Sequence, residues 1–189
     1  MKKIKRYTMI GILFVLLMGT LSHFVYDWTG NHAVIGLFTP VNESIWEHMK
    51  LLFFPMLLYA FFAVLRLKED RPCIISSLCL GILTGTLLIP VLFYAYTGIL
   101  GKDFFILDIG IFIVSTLTAF LLFYRLTLSC KAKPVTVMLC ILVCILFVCF
   151  LIFTYHPPDL DLFANPPAEI YKAYMLQNSV NLALFSLKP

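Results

Sequence analysis

The sequence predicts an all-α membrane protein, a bundle of five transmembrane helices, and three observations point there. Of its 189 residues 61% are hydrophobic and only 13% charged, against about 25% charged in a soluble domain, and the mean hydropathy is +0.97. Five apolar runs approach the roughly 20 residues that a helix needs to cross a bilayer. The runs are apolar on every side, without the alternation of barrel strands, and helices then remain as the way to satisfy the backbone inside lipid.

The first span is expected over 8–26, behind Lys2, Lys3, Lys5 and Arg6. That basic start followed by an apolar run also fits a signal peptide. Residues 19–24 offer no small-residue cleavage pattern, however, and the run continues to Val25, so an uncleaved helix is expected. A short loop with Gly30, Asn31 and Gly36 leads to Thr39-Pro40, which reads as a helix start with Thr39 as N-cap and Pro40 at the first helical position. The second span, 45–65, contains Pro55, and the third, 72–96, contains Pro90, which removes a backbone hydrogen bond and kinks the helix. After a turn at 98–103, the fourth span covers 104–126 and the fifth 134–154.

Beyond the fifth span come Pro157, Pro158, Pro166 and Pro167, and this proline content predicts an extended, semi-rigid connector. Residues 168–187 read as a helix with Ala173, Leu176, Val180, Ala183, Leu184 and Leu187 on one stripe. Lys172, Gln177, Asn178 and Asn181 make it too polar for a comfortable sixth span, so an interfacial helix is favoured over that alternative. The chain thus divides into a bundle, 1–154, and a C-terminal connector with its helix, 155–189.

Five spans place Lys2, Lys3, Lys5, Arg6, Arg66, Lys68, Arg71, Arg125, Lys131 and Lys133 on one side, with Glu69 and Asp70, for a net charge of +8. The positive-inside rule makes this side cytoplasmic, with the N-terminus in and the C-terminus out. The other side carries four lysines against eight acids, a net −4, together with all four histidines. Because the rule concerns Lys and Arg, it leaves this gathering of acids and histidines unexplained. Cys73 and Cys130 fall at cytoplasmic helix ends, where thiols stay reduced. Cys79, Cys140, Cys144 and Cys149 lie in spans and read as small packing residues.

Ionisable residues in or at the edge of a span are costly and tend to face a cavity or one another. His23, Glu47, His48 and Asp108 are such residues. His23 has Asp27 one turn on, with which it can share a proton or a metal. Glu43 and Glu47 are four apart on one face, with Lys50 a turn further, while His48 points about 100° from Glu47 and needs another helix to join a common ligand set. Asp108 stands among Ile, Leu and Phe and requires a partner, which Lys102, His23 or His48 can provide. His156 and Asp159, held by Pro157-Pro158, can fold over the mouth of the bundle. Imidazole and carboxylate are the ligand types of a divalent metal such as zinc, so His23, Glu47, His48, Asp108, His156 and Asp159 are candidate ligands and Glu43 and Glu47 candidate bases. No HExxH, Gly-x-Ser-x-Gly or phosphate-cradling glycine loop occurs. The signal is therefore one of composition and topology.

Pro40-Val-Asn-Glu-Ser-Ile-Trp-Glu-His48, with the Lys50-to-Pro55 run after it, and Tyr155-His-Pro-Pro-Asp-Leu-Asp-Leu-Phe163 resemble a family of uncharacterised small membrane proteins of Firmicutes-type bacteria, a domain of unknown function, over most of the chain. The resemblance implies a bacterial plasma-membrane location and no particular activity. Members often carry Asn-Pro-Pro-His where this chain has His156-Pro-Pro-Asp159, a departure that bears on any ligand role for these two residues.

Besides the lipid bilayer, the expected partner is a small cation, solute or protein bound by the outer acidic and histidine cluster. The alternative is a metal-dependent hydrolase or transferase acting on lipid or cell-envelope substrates at the outer leaflet. A coupled transporter ranks last, because the inner halves of the spans have almost no polar lining beyond Ser76, Ser77, Ser115, Thr116 and Thr118. Nucleic-acid binding is excluded by basic residues scattered over short loops without an aromatic surface.

Overall fold

The computed structural model of the protein describes residues 2–67 and 71–165. Its elements are α1 (Lys2–Trp28), a single turn α2 (Ala33–Gly36), α3 (Ile45–Arg66), α4 (Arg71–Leu100), α5 (Phe105–Ser129) and α6 (Thr136–Phe153). All but α2 belong to helices long and apolar enough to cross a membrane. The spans alternate in direction, so the ends of α1, α4 and α6 meet the starts of α3 and α5 at one end of the bundle. This is called the acidic end below, and the opposite one the basic end.

α3 and α4 form the centre. They pack against each other, α1 and α5 cover one flank, and α6 lies along α4 on the other. The burial pattern follows. α1 buries only Ile4, Thr8, Gly11, Val15 and Gly19, a single stripe at three- and four-residue spacing, and turns Leu13 and Leu17 outward. α3 buries Met49, Leu52, Phe53, Met56, Tyr59 and Ala63. Lipid matches apolar side chains as well as protein does, so close backbone approach at small residues carries much of the helix association. Gly19 is the clearest case: a Cβ there would stand 2.5 Å from the Leu51 carbonyl oxygen and 2.6 Å from the Phe112 ring, so α1, α3 and α5 converge at this layer.

Three local expectations are corrected. α3 starts at Ile45 and not at Pro40. Its N-cap is Ser44, whose Oγ accepts from the Glu47 amide at 3.4 Å, while the Asn42 side chain accepts from the Ser44 amide at 2.9 Å. Ser44-x-x-Glu47 is a capping-box pattern, and it outcompetes the Thr39-Pro40 start. Thr39 instead donates its hydroxyl to the Ile35 carbonyl. Second, Cys73 and Cys130, expected as separate thiols, are joined in a disulfide with Cα atoms 5.1 Å apart. The left-handed C-cap at Cys130 (φ 55°) turns the chain back onto the start of α4.

Third, the connector after α6 is extended only in part. Asp161–Phe163 forms a 3₁₀ turn that brings Phe163 to 4.8 Å from the Trp46 ring, so the segment folds onto the start of α3. The expected interfacial helix at 168–187, and the sixth-span alternative, lie outside the described residues. Pro55 and Pro90 sit inside α3 and α4, as expected.

Candidate metal centre

The acidic end holds two groups of ionisable side chains, both built from the short stretch Glu43 to Lys50. Ser44 fixes the first turn of α3, and residues on successive positions of that turn then diverge by about 100°. His48 is directed toward α1, and Glu47 toward the loop and α6.

On the α1 side, His23 Nε2 lies 3.4 Å from His48 Nε2. Glu43 Oε2 is 3.6 Å from His23 Nε2 and 3.3 Å from His48 Nε2. The three atoms form a nearly equilateral triangle. Charged N–H···O hydrogen bonds close to about 2.7–2.9 Å, so these separations are long for direct pairing. They match a metal site instead. Bonds of about 2.0–2.1 Å to imidazole nitrogen and carboxylate oxygen, arranged tetrahedrally, separate neighbouring ligand atoms by about 3.3 Å. The centre of such a triangle is about 2.0 Å from each corner.

His48 is oriented for this role. Its Nδ1 lies 2.9 Å from the Ser44 carbonyl oxygen; a carbonyl only accepts, so Nδ1 carries the proton, and the neutral ring then offers the Nε2 lone pair to an ion. The side chains of His23, His48 and Glu43 are 28%, 30% and 41% exposed, which leaves the group open to solvent or solute on one side. The imidazoles beside it, His23 first and then His48, hold the Glu43 carboxyl well below the usual carboxylate range against the opposing effect of burial. The group is therefore an anionic ligand at neutral pH.

On the other side of the same turn, Glu47 and Lys50 are sealed. Their side chains are 2% and 0% exposed, and Lys50 Nζ donates to Glu47 Oε2 at 2.7 Å. The ammonium also donates to the Gly36 carbonyl at 3.0 Å, the Thr154 hydroxyl at 2.7 Å and, more weakly, the Thr39 carbonyl at 3.5 Å. Glu47 Oε2 further accepts the Val41 amide at 3.0 Å. This network ties the loop before α3 to the end of α6. It occupies the carboxylate that the sequence offered as both ligand and base, so Glu47 does not reach the histidines. Glu43, offered as a base, stands among them.

Asp108 accepts the Tyr96 hydroxyl on Oδ1 at 2.6 Å, and Tyr96 accepts the Phe104 amide at 3.2 Å. The partner of Asp108 is thus a tyrosine on α4, which sequence reasoning missed. The expected partners were Lys102, His23 or His48, and a phenol four residues from the end of a helix carries no distinguishing pattern. His156 and Asp159 are exposed and stand outside the group whose ligand atoms meet within 4.8 Å, which comprises His23, Glu43 and His48. Asp27 is likewise exposed and outside it. Thr154, a further partner of the sealed pair, was also missed, since a hydroxyl at the end of a span ordinarily bonds its own helix, as this one does to Phe150.

The chain belongs to a family of unknown function (DUF6512), whose model matches residues 1–172. No curated protein matches the chain, and no solved structure does.

Proposed function

We propose that this multi-pass membrane protein binds one divalent transition-metal ion, zinc by its ligand chemistry, through His23, Glu43 and His48 at the extracytoplasmic surface of a bacterial plasma membrane. The observation that carries the reading is the triangle of ligand atoms at 3.3–3.6 Å, too wide for charged hydrogen bonds and matched to a shared ion. Two imidazoles and one carboxylate suit zinc and its neighbours better than calcium or magnesium, which take oxygen ligands. The orientation rests on the positive-inside rule, with ten Lys and Arg at the basic end. It puts Cys73 and Cys130 at the cytoplasmic face, where thiols are kept reduced, so their bond belongs to the oxidised protein.

A second reading follows from the ligand count. Structural zinc sites have four protein ligands, whereas catalytic ones have three and keep a position for water. Three ligands on a partly exposed face therefore favour a hydrolase or transferase that uses metal-bound water on lipid or cell-envelope substrates at the outer leaflet.

The test is metal analysis of protein purified without chelators or metal-affinity resin, beside a His23→Ala, His48→Ala double variant. The reading requires close to one zinc per chain in the wild type and loss of it in the variant. Metal-free wild type that also takes up no zinc on titration contradicts it.

A further inference from the structure

Asp108 is a carboxylate inside a membrane-spanning helix, and one tyrosine hydroxyl does not account for it. Its place in the bundle follows from the layer at Gly19, where α1 touches the Leu51 carbonyl of α3 and the Phe112 ring of α5. One helical turn nearer the acidic end, these three helices present His23, four residues after Gly19, His48, three before Leu51, and Asp108, four before Phe112. Side chains three and four apart share a helix face, so the two histidines and Asp108 occupy one layer around the same junction. An electrostatic interaction between Asp108 and His48 accords with this placement. Yet Asp108 is not among the atoms that meet within 4.8 Å of one another, so it stands beyond direct ligation with them. A contact from Asp108 to an ion held there would therefore pass through a water molecule. Tyr96 occupies Oδ1, and among the described residues no donor is bonded to Oδ2.

We infer that Asp108, oriented by Tyr96, accepts a hydrogen bond from the water that completes the coordination of the ion at His23, Glu43 and His48. The inference rests on the metal-site reading above and sharpens it, because it gives the fourth position a dedicated acceptor and assigns that position to water. The role expected of Glu47 from sequence passes to a residue on a different helix. The negative charge of Asp108 also disfavours anions at the fourth position.

The test uses full-length protein in detergent loaded with cobalt(II), whose visible spectrum reports on its ligands, and titrated with azide as an anion that replaces bound water. Asp108→Asn keeps an acceptor for the Tyr96 hydroxyl but removes the charge. The expected result is unchanged cobalt stoichiometry, an altered visible spectrum, and azide binding tighter by about tenfold, as expected for removing a nearby negative charge in a partly buried site. Tyr96→Phe, which frees the carboxylate from its tether, is expected to alter the spectrum and shift azide affinity a few-fold, and it carries the test should Asp108→Asn not fold. Equal spectra and equal azide affinity in wild type and both variants overturn the inference. Loss of cobalt from Asp108→Asn overturns it too, by making Asp108 a ligand. Failure of the wild type to bind cobalt or zinc at all instead overturns the metal-site reading.

Discussion

Eight residues, Glu43 to Lys50, supply two ionic groups that are opposite in character. Glu47 and Lys50 neutralise each other in a sealed space, where Val41 of the loop donates to Glu47 Oε2 and the Lys50 ammonium reaches Gly36 and Thr154. Glu43 and His48, interleaved with them in sequence, reach across to His23 of α1 and remain partly exposed. A helix separates adjacent residues by about 100°, so a one-residue difference decides between a sealed ion pair and an open cluster, the one proposed to bind an ion. A buried ion pair is held mainly by the cost of breaking it, whereas an open cluster of imidazole and carboxylate gains its stability from what it binds. The two groups should therefore respond oppositely to mutation and to metal.

The largest effect is expected at the sealed pair. Lys50→Met leaves Glu47 buried without its partner and should lower stability by about 3–5 kcal/mol, read as thermal unfolding in detergent. A Glu47→Leu, Lys50→Met double variant should recover most of that loss, and neither change should alter the ligand set of the ion. A double variant as unstable as the single one would show that the loop ties to Val41, Gly36 and Thr154 matter more than the unpaired charge. At the open group, zinc at a hundred times its dissociation constant should stabilise the wild type by about 2.7 kcal/mol. His48→Ala should lose this response while its metal-free stability stays close to that of metal-free wild type.

Gly19→Ala joins the two regions. Its Cβ would meet the Leu51 carbonyl oxygen, which is backbone and cannot rotate away. The expected loss is about 1–3 kcal/mol from overpacking, together with weaker zinc binding as His23 is carried outward with α1. Unchanged zinc affinity in a destabilised Gly19→Ala protein would separate helix packing from the site.

The smallest effect concerns pH. The folded-state value of Glu43 is depressed below the ordinary 4.5 by the neighbouring imidazoles of His23 and His48. The stability it contributes is thus present above pH 4.5 and declines as pH falls below 4.5 toward the folded value. Glu43 is 41% exposed, so screening holds this contribution to under about 1 kcal/mol. In metal-free protein, the difference between wild type and Glu43→Gln should narrow below pH 4.5, as measured by unfolding at a series of pH values.

The five spans were legible because length and uniform hydropathy suffice to define a helix in lipid. The helix start was misread at Thr39-Pro40: Ser44 stands five residues further on, and its hydroxyl takes the Glu47 amide while Asn42 takes the Ser44 amide. The ligand types and their concentration at one end could be read from topology alone. Which of them meet could not. His23 joins His48 because Gly19 lets α1 descend onto Leu51 and Phe112, a contact between helices that no single-helix periodicity encodes. Glu47 was offered as ligand and base although Lys50 stood a turn further on its face, because nothing in the spacing shows that the loop carbonyls of Gly36 and Thr39 enclose that lysine.

Whether one ion sits among His23, Glu43 and His48 is read from X-ray absorption at the zinc edge of the purified, zinc-loaded protein. Nitrogen and oxygen neighbours at about 2.0–2.1 Å are expected, with the scattering signature of two imidazoles. Sulfur neighbours at about 2.3 Å would move the ion to the cysteines of α4 and α6, and no retained zinc would leave the triangle without an ion; either result contradicts the account.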